Sequence, residues 1–220
     1  MSLLPSPRRR EIDHRTLKLI VGVIALSLPV LTSVFAKEPL PAISAAYWEG
    51  DWSRNILIGF LFAIAAFLFA YNGLSRPQMV SSKVAAIAAL IVALFPCECG
   101  GHEVRLPYLH YAAAATMFFI LAFFCYEFYV RARSKGHPQA MVRAFIYAVC
   151  GIAILVSILV MGANFLLGGA LEARIPRLNF FEESEGLLAF GISWLIASRV
   201  LPLVTRPDER YSPFRDRNPE

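Results

Sequence analysis

Residues 95–111 read FPCECGGHEVRLPYLHY and gather chemistry-bearing side chains into one short stretch. Cys97 and Cys99 are separated by one residue, and His102, Glu103 and His110 follow. Three chemistries suit such a set. Soft thiolates with imidazole hold zinc or copper, here with Cys97, Cys99 and His102 as ligands and Glu103 or His110 as the fourth. The two thiols can instead form a disulfide, with each other or with another chain. The stretch can also be a polar cap with free thiols between two apolar helices. The C-x-C spacing is shorter than that of structural zinc sites, so no cofactor is expected and zinc is the alternative. Cys125 lies fifteen residues beyond His110, about 22 Å along a helix. Cys150 belongs to the far end of another apolar run, so neither can bridge to Cys97 or Cys99.

His110 opens an apolar run beside Tyr111. Ionisable groups near membrane depth are costly and tend to be functional, although an interfacial anchor uses the same residue type. A second set of polar side chains is Ser44, Asp51, Arg54 and Asn55, where a polar loop meets the next apolar run, and Glu183 lies near the chain's last apolar run. A guanidinium at an interface seeks bidentate partners. Arg54 is therefore expected to meet Asp51, Glu183, Glu185 or a lipid phosphate. Tyr47 and Trp48 fit an aromatic belt.

The elements that must position these residues follow from composition. The 220 residues are 57% hydrophobic and 17% charged, with mean hydropathy +0.56. A soluble domain carries about 25% charge, and here the charges are clustered between long apolar runs. The pattern predicts an all-α, polytopic six-transmembrane-helix bundle. The six segments are 17–35, 55–71, 80–95, 108–130, 144–167 and 186–204. Residues 1–16 are then an N-terminal cytoplasmic arm, 17–205 the six-helix domain, and 206–220 a flexible cytoplasmic tail rich in proline. The RRREIDHRTLK stretch before the first run resembles the start of a signal peptide, but the apolar run is longer than such peptides use, so an uncleaved helix is expected. Pro29 is expected to kink it.

Sixteen of the 21 Lys and Arg residues fall on the side of the two termini. The positive-inside rule therefore places both termini in the cytoplasm, with an even number of crossings. Nine of the sixteen acids fall on the opposite side, which gives an acidic outer face. The net charge of +5 is accounted for by the loop bias and gives no reason to expect nucleic acid. Small-residue runs such as AAIAALIVA, together with Asn72, Asn164, Ser193 and Ser198, suit close helix packing in lipid.

The stretch AISAAYWEGDWSRNILIGFLFAIAAFLFAYNG at 42–73 is followed by VALFP at 92–96, LHYAAAATMFF at 109–119 and EGLLAFGISWL at 185–195. In this order the chain resembles small bacterial six-helix membrane proteins of the DRAM/Frag/Sfk-like group. The group's pattern has an outer-loop Ser, an Arg at the mouth of helix two, a Pro after helix three and a His at the start of helix four. Ser44, Arg54, Pro96 and His110 match it; its later acid matches Glu183 or Glu185. Cys97 and Cys99 are not part of that pattern. The resemblance implies a six-helix bundle and links the chain to lipid organisation at membranes.

The expected function is thus a non-enzymatic, multi-pass protein of the inner (plasma) membrane. It would bind or organise membrane lipids, or serve as an accessory subunit through other membrane proteins or self-association. Its binding residues would be Ser44, Asp51, Arg54, Asn55, His110 and Glu183. An intramembrane metal-dependent lipid hydrolase with its site on the outer face is the first alternative. Against it, the sequence has neither an H-x-x-x-H pair nor a G-x-S-x-G elbow. A channel or transporter is the second. Two geometries separate the first two: His102 and His110 converging with an acid, or Arg54 clamped to Glu183 or Glu185 across a packed interface.

Overall fold

The computed structural model describes residues 14–99 and 101–212, the side chain of Pro107 excepted. Arg8–Arg10 of the N-terminal arm and the tail from residue 213 lie outside the described residues. The described chain is helical and contains no strand. Six long helices run in alternating directions: α1 (His14–Val34), α3 (Asp51–Ala70), α4 (Arg76–Leu94), α5 (Pro107–Arg133), α6 (Pro138–Leu166) and α8 (Leu178–Ala197). Two short helices, α2 (Ala46–Glu49) and α7 (Ala170–Arg174), sit in the connections at one end. Two 3₁₀ turns, Pro202–Val204 and Pro207–Glu209, follow α8 at the other.

The long helices form a closed ring in which α1 packs on α3, α3 on α4, α4 on α5, α5 on α6, α6 on α8, and α8 back on α1. Both described chain ends lie on one face, since His14 packs edge-on against Tyr71 and Lys135 pairs with Glu209. We call this the terminal face. The opposite face, built from the longer connections 35–50, 95–106 and 167–177, is the loop face.

Local sequence accounts for the helix ends. Ser75 caps α4 by accepting from the Gln78 N–H, and His137 caps α6 by accepting from the Ala140 N–H. Proline occupies the first turn of α4, α5 and α6, where a missing N–H costs nothing. Lys83 reaches from α4 to the carbonyls of Phe69 and Tyr71, which closes the end of α3. The seam between α1 and α8 depends on two glycines. A Cβ on Gly22 would lie 2.9 Å from the Leu195 backbone nitrogen and 3.0 Å from the Gly191 carbonyl oxygen. Close backbone approach of this kind is how helices associate where lipid removes the hydrophobic drive between them. The ring is filled near its centre by Trp194, against which Tyr71, Phe124, Phe128 and Phe190 pack with centroids 5.2–6.2 Å away.

Three boundaries differ from the sequence expectation by six residues or more. Helix α6 begins at Pro138, not 144, because the His137 cap and Pro138 start it earlier. Helix α8 begins at Leu178, not 186, and ends at Ala197, not 204. Its first two turns therefore contain Glu182, Glu183 and Glu185. Beyond its end, Arg199 sits in the left-handed region at φ 67° and Pro202 starts a new turn.

Five helices, α1, α3, α4, α5 and α6, are long and apolar enough to cross a membrane. Their outward faces carry Val23, Phe62, Val84, Phe119, Ile152 and Leu159, all exposed. Only 28% of the apolar window of α6 is buried inside the protein. Apolar surface on this scale is stable against lipid and not against water. The chain is a multi-pass integral membrane protein.

Candidate functional site

A cavity of about 840 Å³ opens at the loop face between α5, α6 and the start of α8. That is within the usual size range of small-molecule sites. Its walls come from two facing helix stripes. On α6, Ile158, Met161, Gly162 and Phe165 recur at the spacing that puts them on one side of a helix. On α5, Ala114, Ala115 and Phe118 face them. Phe118 can lie against α8 because residue 186 is glycine: a Cβ there would fall 2.1 Å from the Phe118 ring. The mouth is polar, with Ser44, His110, Tyr111, Asn164, Glu172, Asn179 and Glu183 lining it beside Cys97, Glu98 and Cys99.

Two hydrogen-bonded clusters organise that mouth. In the first, Glu183 accepts from the Ser44 backbone N–H at 3.0 Å and from the Ser44 hydroxyl at 2.8 Å. The connection 35–50 is thereby fixed to α8. It is fixed again by the Phe180 N–H donating to the Pro41 carbonyl and by Arg177 Nε donating to the Leu40 carbonyl at 2.8 Å. Arg177 holds a left-handed backbone, φ 64°, and its guanidinium lies over the Phe180 ring at 4.3 Å. In the second cluster, Asn179 donates to Glu172 at 2.7 Å, and Asn164 receives the Glu172 N–H at 3.0 Å. Gly168 and Gly169, both at positive φ, make the turn that brings Glu172 back over Asn164.

The 95–111 stretch wraps the third side. His110 is 3% exposed and places Nδ1 2.7 Å from the Phe95 carbonyl. A carbonyl only accepts, so Nδ1 carries the proton, and in the neutral ring Nε2 keeps its lone pair. No described residue hydrogen-bonds that Nε2. Tyr111 donates its hydroxyl to the Glu98 carbonyl, and Trp48 donates its indole N–H to the Cys97 carbonyl at 3.0 Å. Cys97 and Cys99 are joined as a disulfide, which is one of the three states their spacing allowed. In that state neither sulfur is a thiolate ligand. His102 is exposed, stacks on Trp48 at 4.3 Å and does not line the cavity. Among the described residues no group of three or more His, Cys, Asp or Glu side chains converges as a metal cradle.

Of the expected binding residues, the fold brings Ser44, His110 and Glu183 together on the cavity. It does not bring Asp51, Arg54 or Asn55 there. Arg54 is exposed, with its guanidinium 4.5 Å from the Tyr47 ring centroid, and has no carboxylate partner among the described residues. Asp51 pairs with Lys37 at 2.8 Å, both exposed, and Asn55 is exposed on α3. The expected clamp from Arg54 to Glu183 or Glu185 is absent: Glu183 is held by Ser44, and Arg177 ties α8 to the connection 35–50. Neither of the two contrasted geometries is present among the described residues, and α3, which carries Arg54, contributes no residue to the cavity. By sequence Asn164 reads as a packing residue, and Glu172, Asn179 and Arg177 do not stand out. The available signal was three polar groups crowded within sixteen residues around the end of α6.

Comparison with protein-family models, with curated proteins and with solved structures finds no match to this chain. Its functional reading therefore comes from this cavity.

Proposed function

We propose that the protein is a six-span protein of the inner (plasma) membrane, with both termini cytoplasmic, that binds a lipid or lipid-like amphiphile non-enzymatically in the loop-face cavity. The sixth span is α8. At 20 residues it has the length of a crossing helix, and it packs between α1 and α6. The three glutamates that raise its polarity all lie in its first two turns, beside the polar mouth. The excess of Lys and Arg on the terminal face supports the orientation. This reading accords with the resemblance to the DRAM/Frag/Sfk-like group.

One observation carries it: a single cavity joins an apolar trough on α5 and α6 to a hydrogen-bonding mouth at the membrane rim. That division of polarity matches an amphiphile with its head at the mouth and its chain along Ile158, Met161 and Phe118. Native mass spectrometry of protein extracted gently from its host membrane tests this. Wild type is expected to retain a bound amphiphile, and Gly162→Trp, which fills the trough, is expected to lose it. Equal retention by both proteins would place the lipid elsewhere.

A further inference from the structure

The charge around the cavity is one-sided. Glu183 and Glu172 both line it, and their donors are neutral: the Ser44 hydroxyl and backbone N–H for one, Asn164 and Asn179 for the other. None of the ion pairs among the described residues includes either carboxylate. No Lys or Arg side chain is among the described residues lining the cavity. A carboxylate removed from water without a cation is expensive, and low-dielectric walls extend its field into the cavity.

A second, independent feature points the same way. His110 is 3% exposed and lines the cavity. Its Nδ1–H is committed to the Phe95 carbonyl, so the nitrogen left for an occupant accepts a hydrogen bond and does not donate one. The mouth thus presents two carboxylates and an imidazole lone pair, all asking for donors, with one positive charge the natural complement. A phosphate or carboxylate head would meet like charge and no cation.

We propose, building on the amphiphile-binding reading above, that the cavity selects an amphiphile whose head is a protonated primary amine carrying no excess negative charge beside it. The ammonium N–H groups bond Glu183, Glu172 and His110 Nε2, and the aliphatic chain lies along the α5–α6 trough. Two sources share this chemistry: a free long-chain amine and an aminophospholipid.

The test uses full-length protein in detergent micelles, titrated at neutral pH and read by native mass spectrometry, with hexadecylamine, hexadecanol and hexadecyl phosphate as matched probes. Hexadecylamine is expected to bind about tenfold tighter than hexadecanol, the size of one charge-assisted hydrogen bond, and hexadecyl phosphate weakest. Glu183→Gln is expected to reduce the preference for hexadecylamine over hexadecanol to about threefold or less. Glu172→Gln serves as the second variant if Glu183→Gln fails to fold. Competition by phosphatidylethanolamine but not by phosphatidylcholine, which lacks N–H groups, identifies the lipid source; competition by neither identifies the free amine. Equal binding of amine and alcohol, with both lost in Gly162→Trp, overturns the head-group assignment and leaves the amphiphile-binding reading intact. No binding of any probe, or binding that Gly162→Trp does not alter, overturns both.

Discussion

The two faces of the bundle treat buried charge in opposite ways. On the terminal face one carboxylate is surrounded by cations: Glu209 pairs with Lys135, with Arg143 at 3.0 Å and with Arg199 at 2.7 Å, while His137 stands 3.7 Å away. Arg143 is fully buried there and also donates to the Val204 carbonyl at 2.5 Å, so the chain after α8 folds back over the ends of α5 and α6. On the loop face, Glu172 and Glu183 have neutral donors and an open cavity beside them. The first arrangement closes a structure. The second leaves electrostatic demand unmet, as a binding site does before its ligand arrives.

The comparison is broken most forcefully at Glu209. Glu209→Ala leaves Arg143 buried without its carboxylate, and loss of one partner of a buried pair costs about 3–5 kcal/mol. A corresponding fall in the unfolding midpoint of the detergent-solubilised protein is expected, with new protease cleavage between residues 199 and 211. Acid should act on the same contact. Burial alone would raise the pKa of Glu209, but the Lys135 hydrogen bond and the charges of Arg199, Lys135 and Arg143 outweigh it and hold the group down at about 2. A depressed carboxylate contributes stability that is fully present above its unfolded pKa and lost as pH falls toward the folded one. The contribution should therefore be intact at neutral pH and disappear between about pH 4.5 and pH 2. Amide hydrogen exchange of residues 199–211 reads that loss, and Glu209→Gln should flatten the profile.

On the loop face the two arginines give a smaller, sharper contrast. Arg177→Ala removes a charged donor from the Leu40 carbonyl and a ring contact, for about 1.5–3 kcal/mol. Arg54→Ala removes only an exposed contact with Tyr47, for about 0.5–1 kcal/mol. Thermal unfolding of the two variants side by side checks the order. If Arg54→Ala were the more damaging, the assignment of Arg177 as the tie between α8 and the connection 35–50 would be wrong.

Much of the bundle could be read from the chain because long apolar runs demand burial in lipid wherever they fall. The start of α8 could not. Glu182, Glu183 and Glu185 make that stretch look like a loop by hydropathy, whereas they lie in helix at the polar rim and Glu183 lines the cavity. The site was half legible for a related reason. Ser44, His110 and Glu183 stand out by type and depth, but Asn164, Glu172 and Asn179 meet only because two glycines reverse the chain after α6. Choosing between Arg54 and Arg177 required knowing which carbonyls each could reach. The opening residues of the tail, expected from residue 206 to be a loose extension, include Glu209, whose partners come from residues 135, 143 and 199. Such pairing leaves no local signal.

The account depends most on α8 crossing the bilayer, so that the cavity and the Glu209 cluster lie on opposite sides. The native thiols give little background: Cys97 and Cys99 are bridged, and Cys125 and Cys150 are buried. Lys37→Cys and Arg206→Cys, at exposed positions on the two faces, can each be treated with a membrane-impermeant thiol reagent in intact cells. The account predicts labelling of residue 37 from outside and of residue 206 only after the membrane is opened. Labelling of both residues from the same side would contradict it.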